Sequence, residues 1–272
     1  MIEAMAARHR GRVMRHEITT QAGPESVWRA WTEMEKLQQW FPDRAEGAAS
    51  AGASITWAFD SWGASFAYRV LEVEPGRRLL LECDQPGAPG VLLEITLSHG
   101  GGSTTLQLVA SGFGEGAAWD DEYEGTNSGW RAVLATMREY LENHFGQNRW
   151  IVKVERAGRF EYEPLIREYV MGSGISRWLT ESGQLGGEGS EFDLELRDGG
   201  RFSGRVLAVT KREIPLYWRE IDGVLTLIAT PGGNDRRLVV AHCSSWSARA
   251  SRAAVGSALG LALDRLIMVI GG

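Results

Sequence analysis

The segment GASFAYRVLEV, residues 63–73, lines up with GGRFSGRVLAV, residues 199–209, sharing Gly, Phe, Arg, Val, Leu and Val at an offset of 136. A single repetition at this distance marks a tandem duplication, because solenoids stack three or more short units. The flanks agree: Pro24–Trp40 recurs as Pro164–Trp178, and each half ends in a long apolar helix pattern. The expected domains are residues 1–148 and 149–272, with the linker around Gly146–Arg149 and the first ~11 residues as a flexible lead.

Within the first half, VMRHEITTQA (13–22) alternates as a strand does, and Gly23-Pro24-Glu25 opens a helix with proline in its first turn and an acid where the dipole favours one. Val27, Trp31 and Met34 follow at helical spacing. From Ser54 to Val109 the period is two: Ile55-Trp57-Phe59, Phe66-Tyr68-Val70, Leu79-Leu81-Cys83, Leu93-Ile95-Leu97 and Leu106-Leu108 each load one face of a strand. Pro75-Gly76, Pro86-Gly87 and Gly100-Gly101-Gly102 separate them as turns. Thr126-Asn127-Ser128 then offers N-caps for a helix carrying Trp130, Val133, Leu134, Met137 and Leu141. The second half repeats the order, with a strand WIVKVERA (150–157), helical turns from Pro164 to Leu179, strands from Glu191 to Ser244 turning at Asp198-Gly199-Gly200, and a last helix from about Ser247. Each half is thus α+β, an antiparallel meander with one long helix laid across it.

Composition excludes several classes. Charged residues make up 24% and hydrophobic ones 43% of 272 residues, values typical of a folded globular chain and not of a disordered or collagenous one. Two cysteines are too few for a disulfide framework, which makes a reducing cytoplasm the default compartment. Residues 1–148 hold 12 basic and 20 acidic groups and residues 149–272 hold 17 and 15, so neither half is basic enough for nucleic acid to be the partner. The N-terminus has no apolar run of the kind that a secretory signal needs. The most apolar stretch, Ala253–Ile270, contains Asp264 and Arg265, and a central charge costs a spanning helix roughly 2.5–3.5 kcal/mol. It reads as a buried helix and not as a membrane span, and its apolar residues on more than one face ask for two packing partners.

The run ITTQAGPESVWRAWTEMEKLQQWF (18–41), the strand pair VLEVEPGRRLLLEC (70–83) and the closing GWRAVLATMREYLENH (129–144) together resemble the ATPase-activator-like family of the SRPBCC superfamily, named for activators of the heat-shock-protein-90 ATPase. The resemblance rests on Pro24, Val27 and Trp28, on Trp40, on Glu74-Pro75 with Arg78-Leu79, and on Gly129-Trp130, and it covers roughly residues 12–145. The second half looks like a diverged copy that keeps Pro164 and Trp178 but lacks the Glu-Pro and Gly-Trp pairs. The resemblance implies two tandem helix-grip (START-like) domains, each a curved antiparallel sheet around a long C-terminal helix with a cavity between them. Superfamily members use that cavity for apolar molecules, and a minority perform cyclase-type or hydrolytic chemistry.

Tryptophan is abundant at 11 residues, seven of them in residues 1–148. Trp28, Trp31 and Trp40 stand where the family places structural residues. Trp57, Trp62, Trp119 and Trp130 face the expected interior or its mouth, where lining a pocket and filling a core are both open. With Tyr68 and Met137 they form the expected ligand-binding set. The acidic group Glu115, Asp120, Asp121, Glu122 and Glu124 reads as a solvated loop before the long helix. The five histidines lack metal-site spacing, Cys83 reads as a buried structural thiol, and no phosphate-binding glycine loop or serine nucleophile elbow occurs. No catalytic residue, metal or cofactor is therefore expected. The leading expectation is non-catalytic binding of an apolar or amphipathic small molecule. Two alternatives stand beside it: a cyclase- or hydrolase-type enzyme using Asp60, Glu94 or Arg131, and a module for a protein partner or a homodimer.

Overall fold

The structure, a computed structural model, describes residues 11–84, 90–232 and 236–271. The expected Pro86-Gly87 turn and the N-terminal lead lie outside the described residues. The chain divides into two compact units, Met1–Trp130 with Met137–Asn148, and Arg149–Gly272 with Arg131–Thr136.

The first unit runs β1 (Arg12–Thr20), α1 (Pro24–Thr32), α2 (Met34–Gln38), β2 (Arg44–Gly47), β3 (Ser54–Phe59), β4 (Ala64–Glu74), β5 (Arg78–Cys83), β6 (Leu92–Gly100), β7 (Ser103–Phe113) and α3 (Ala117–Glu139), whose middle turns, Arg131–Thr136, group with the second unit. Its seven strands form one antiparallel sheet in the order β1-β7-β6-β5-β4-β3-β2. Helix α1 starts where the sequence indicates, with Pro24 in its first turn and Glu25 beside it, and it buries Val27, Ala30 and Trp31. Register places Ile55 opposite Tyr68, Tyr68 opposite Cys83, Val70 opposite Leu81, and Leu81 opposite Leu93, which gathers the alternating apolar residues on one inner face.

The long helix begins earlier than its capping residues suggest. Thr126, Asn127 and Ser128 lie inside α3, and Ser128 is buried. Asp120, Asp121, Glu122 and Glu124 occupy the first turns of the helix and are not a preceding loop. Carboxylates at that end are favoured by the helix dipole, and Asp120 is further held by Arg12 at 2.5 Å, whose guanidinium also lies 3.9 Å from the centre of the Tyr123 ring.

The second unit runs β8 (Trp150–Gly158), α4 (Tyr162–Leu165), β9 (Glu191–Glu195), β10 (Arg201–Val206), β11 (Glu213–Trp218), β12 (Gly223–Pro231), β13 (Arg237–Ser245) and α5 (Arg252–Gly271), with a π-helical turn at Ile166–Val170 and a 3-10 turn at Ser173–Arg177. The sheet order is β8-β13-β12-β11-β10-β9. This is the order of the first sheet with β2 missing, and the repeated segment falls on β4 in one unit and β10 in the other, the same place in each sheet. Trp40 and Trp178 keep equivalent roles: each indole N–H donates to a carbonyl of the helical segment before the one it follows, Trp40 to Ala30 at 3.0 Å and Trp178 to Tyr169 at 2.7 Å. Both units are α+β and of the helix-grip type.

Helix α5 starts at Arg252 and not near Ser247. The Ser245 and Ser247 hydroxyls accept from the backbone N–H groups of Ser247 and Arg249, an arrangement that competes with helix. Val255, Leu259, Leu263 and Leu266 enter the core with Phe202, Leu216, Leu225 and Cys243. Leu261 and Met268 are exposed. By length and composition α5 is apolar enough to cross a membrane. Its Asp264 pairs with Arg156 at 2.5 Å and its Arg265 with Asp198 at 2.8 Å.

Candidate functional site

The inner face of the first sheet carries a connected group of aromatic rings contributed by α1, the segment after α2, β3, β4 and α3. Strand alternation brings Trp57 and Phe59 of β3 to the same face as Phe66 and Tyr68 of β4, with Trp57 directly opposite Phe66. Trp57 and Tyr68 have ring centres 4.3 Å apart. Phe41, which follows the short α2, lies 5.2 Å from Trp57, 5.3 Å from Phe59 and 5.3 Å from Trp130. Trp130 of α3 closes the group against Trp31 at 6.1 Å and Trp57 at 6.4 Å. Trp31 meets Trp40 edge-on at 5.1 Å. Offset and edge-to-face contacts of this kind contribute about 0.5–1.5 kcal/mol each beyond the area they bury.

Exposure changes along the group. Trp31, Trp40, Trp57 and Trp130 are buried, Phe41, Phe59 and Tyr68 are half-buried, and Phe66 is 37% exposed. One end is thus a packed core and the other an aromatic rim in water. Burial raises the Tyr68 hydroxyl above the ordinary tyrosine range, with the nearby Cys83 adding to the shift, so Tyr68 is neutral at physiological pH. Deeper in the unit, the Tyr140 hydroxyl donates to Gln39 Oε1 at 2.7 Å, and burial pushes its pKa up to about 12.

Of the six residues expected to line a site, the structure brings Trp57, Tyr68 and Trp130 together. Met137 is fully buried on α3. Trp62 is half-buried on the short 3-10 turn after β3. Trp119 lies elsewhere, 6.4 Å from Phe113 in a separate group with Tyr123. Phe59 and Phe66 were marked by the alternation alone. Trp31 and Phe41 join the group through contacts between elements that no local pattern announces.

The titratable residues considered for an enzyme do not converge. Asp60 is exposed, and Arg44 holds its carboxyl below the usual range through a bidentate pair at 2.8 and 3.0 Å. Glu94 sits on the opposite face of the sheet, where Arg78 donates to it and to Glu72. Arg131 is exposed. Among the described residues no three His, Cys, Asp or Glu side chains are placed to hold a metal ion.

The second unit fills the corresponding space differently. Phe202, at the repeat position of Phe66, is fully buried between Phe192 at 4.7 Å and Trp218 at 5.2 Å. The Tyr68 position is taken by Gly204, opposite Phe192 and Trp218, and the Trp57 position by Leu194. A side chain at Gly204 has no room, since an added Cβ would lie 1.8 Å from the Tyr217 carbonyl oxygen. Cys243 lies in this core, and burial raises its thiol well above the ordinary value.

A long helix packed on an antiparallel sheet through an aromatic inner face defines the helix-grip class. The family model described as Activator of Hsp90 ATPase homolog 1-like protein matches residues 21–142, and this segment is similar to that family. Among solved structures, the Aha1 dimer from Colwellia psychrerythraea is similar at 21% identity and a TM-score of 0.45, over 49% of this chain and 98% of that one. Protein MLL2253 from Mesorhizobium loti is similar at 23% identity and a TM-score of 0.43, over 48% and 96%. DynU16, a putative protein in the dynemicin biosynthetic locus, is similar at 22% identity and a TM-score of 0.45, over 96% and 99%. No curated protein matches.

Proposed function

We propose that the protein binds an apolar or amphipathic small molecule at the aromatic inner face of its first unit, without covalent chemistry on it. The observation that carries this reading is the graded exposure of one aromatic group, from buried Trp57 and Trp130 to exposed Phe66. Rigid rings give a ligand large contact area at little entropic cost, and a rim left in water provides entry. The nominated carboxylates are paired away from this face, which removes the sequence basis for an acid/base mechanism there. In the same reading residues 1–148 are the binding domain, residues 149–272 are a diverged copy whose equivalent space is filled by Phe192, Phe202 and Trp218, and the protein works in the cytoplasm. Helix α5 then serves as the core helix of that second copy.

Native mass spectrometry of freshly purified protein tests the reading, combined with titration by 1-anilinonaphthalene-8-sulfonate. Saturable dye binding that is weakened by Trp57→Ala, Tyr68→Ala or Trp130→Ala, or an added mass lost on denaturation, is the expected result. Dye binding unchanged in all three variants, together with an apo mass, overturns it.

A further inference from the structure

Helix α5 buries one face in the core of its own unit and leaves an apolar face in water. Leu261 is 55% exposed and Met268 68%, and among the described residues only Phe66 joins them as an exposed large hydrophobic side chain. The other long helix, α3, exposes none. From Ala254 to Met268 the exposed positions of α5 are Ala254, Ser257, Leu261, Asp264 and Met268. They are spaced by three, four, three and four, the seam along which one helix packs on another. Beside this seam α5 lacks side chains at Gly256 and Gly260. With Val152 and Val154 of β8 as its floor, a hollow of about 940 Å³ remains, bordered by Ser257, Leu261 and Asp264.

Charge decides what fits against this face. Helix α5 opens on Arg252, which is exposed, and it has no acidic residue in its first turn and no basic residue in its last. That arrangement runs against the helix dipole, which favours anions at the start and cations at the end. An antiparallel partner helix corrects both ends, because each Arg252 then lies beside the last turn of the other helix. About a two-fold axis at Leu261 the seam is also complementary to itself. Leu261 meets Leu261, and the long Met268 meets the small Ala254. Ser257 meets Asp264, whose carboxylate accepts from Arg156 at 2.5 and 3.1 Å and keeps lone pairs for the serine hydroxyl. A parallel partner opposes Asp264 to Asp264, and a lipid surface meets the Asp264 charge inside the apolar stripe. We propose that this face docks a second copy of this chain, the two α5 helices packing antiparallel about Leu261, with Leu261 of each copy seated in the hollow beside Gly260 of the other.

A seam one helix wide lies at the small end of specific interfaces, so sedimentation velocity of the full chain from about 1 to about 100 µM should show a monomer becoming a dimer. Leu261→Asp sets two carboxylates on the axis and should weaken the dimer about a hundredfold or more. Arg252→Glu should weaken it about tenfold, since the contact with the opposing dipole occurs twice. Both residues are exposed, and circular dichroism of each variant checks that its fold is unchanged. Orientation is read by cross-linking with bismaleimidoethane, for which Cys83 and Cys243 are both buried. Ala254→Cys mixed with Met268→Cys should give a cross-linked pair, and Met268→Cys alone should not. A monomer throughout the range, whether or not it floats with phosphatidylcholine vesicles, overturns the proposal. A dimer indifferent to Leu261→Asp, or cross-linking of Met268→Cys to itself, also overturns it.

Discussion

Phe66 and Phe202 occupy one repeat position on equivalent strands, so replacing each by alanine asks the same question of two environments. Phe202 is fully buried between Phe192 and Trp218. Its removal forfeits the transfer energy of the ring and leaves a cavity, a combination that costs about 3–5 kcal/mol. Phe66 keeps 37% of its surface in water and touches Phe59 at 5.9 Å. Roughly 0.6 of a full burial term of 1.5–3 kcal/mol is at stake, with no closed cavity, giving about 1–2 kcal/mol. Urea unfolding of the full chain, followed by tryptophan fluorescence and near-ultraviolet circular dichroism, should therefore show the Phe202→Ala loss exceeding the Phe66→Ala loss by about 2 kcal/mol. Ligand or dye affinity should respond in the opposite order, falling in Phe66→Ala and holding in the folded fraction of Phe202→Ala. Equal stability losses, or a larger loss at Phe66, would refute the view that one copy kept an open aromatic rim and the other closed it.

Glu213 should make stability depend on pH. Burial pushes its carboxyl up to about 7 from 4.5, only partly offset by Arg212, so the folded state holds an extra proton between those values. The contribution is full below pH 4.5 and is lost as pH rises through about 7; the shift corresponds to about 3 kcal/mol, reduced to about 2 because the residue keeps some accessible surface. Glu213→Gln should flatten urea midpoints between about pH 5 and about pH 8, and an unchanged slope would exclude this residue. Gly204→Ala should cost at least about 3 kcal/mol, read as lost soluble yield or melting temperature, because its Cβ would collide with the Tyr217 carbonyl. Arg78→Met should cost about 3–5 kcal/mol in the same unfolding assay by leaving the buried Glu94 carboxylate without its guanidinium, with recovery when Glu94→Leu is added.

Most of the architecture was legible because strands announce themselves through period two and because the repeat fixed the register of one half against the other. Alternation correctly placed Ile55, Trp57 and Phe59 on one face, and Phe66, Tyr68 and Val70 on the same one. Helix starts were less legible. Thr126-Asn127-Ser128 has cap chemistry, but the acids before it have dipole chemistry, and the helix extends to include both. At the site, Trp57 with Tyr68 follows from strand pairing. The meeting of Trp31, Phe41, Trp57 and Trp130 joins four separate elements, a tertiary event without a local signature. Trp119, expected at the interior or its mouth, meets the nearby Phe113 edge-on at 6.4 Å.

Two copies of one strand order on a single polypeptide create a hazard during synthesis, because a nascent strand can enter the sheet of the wrong copy, a characteristic failure of repeated domains. The pair Tyr68 and Cys83 in one sheet stands where Gly204 and Trp218 stand in the other, and the two pairs differ in size. Strand β4 in the place of β10 would press a tyrosine Cβ against the Tyr217 carbonyl, where there is no room. Strand β10 in the place of β4 would set a glycine opposite Cys83 and leave a hole where Tyr68 packs on Trp57. The size swap across one cross-strand pair thus makes each strand a poor fit in the other sheet.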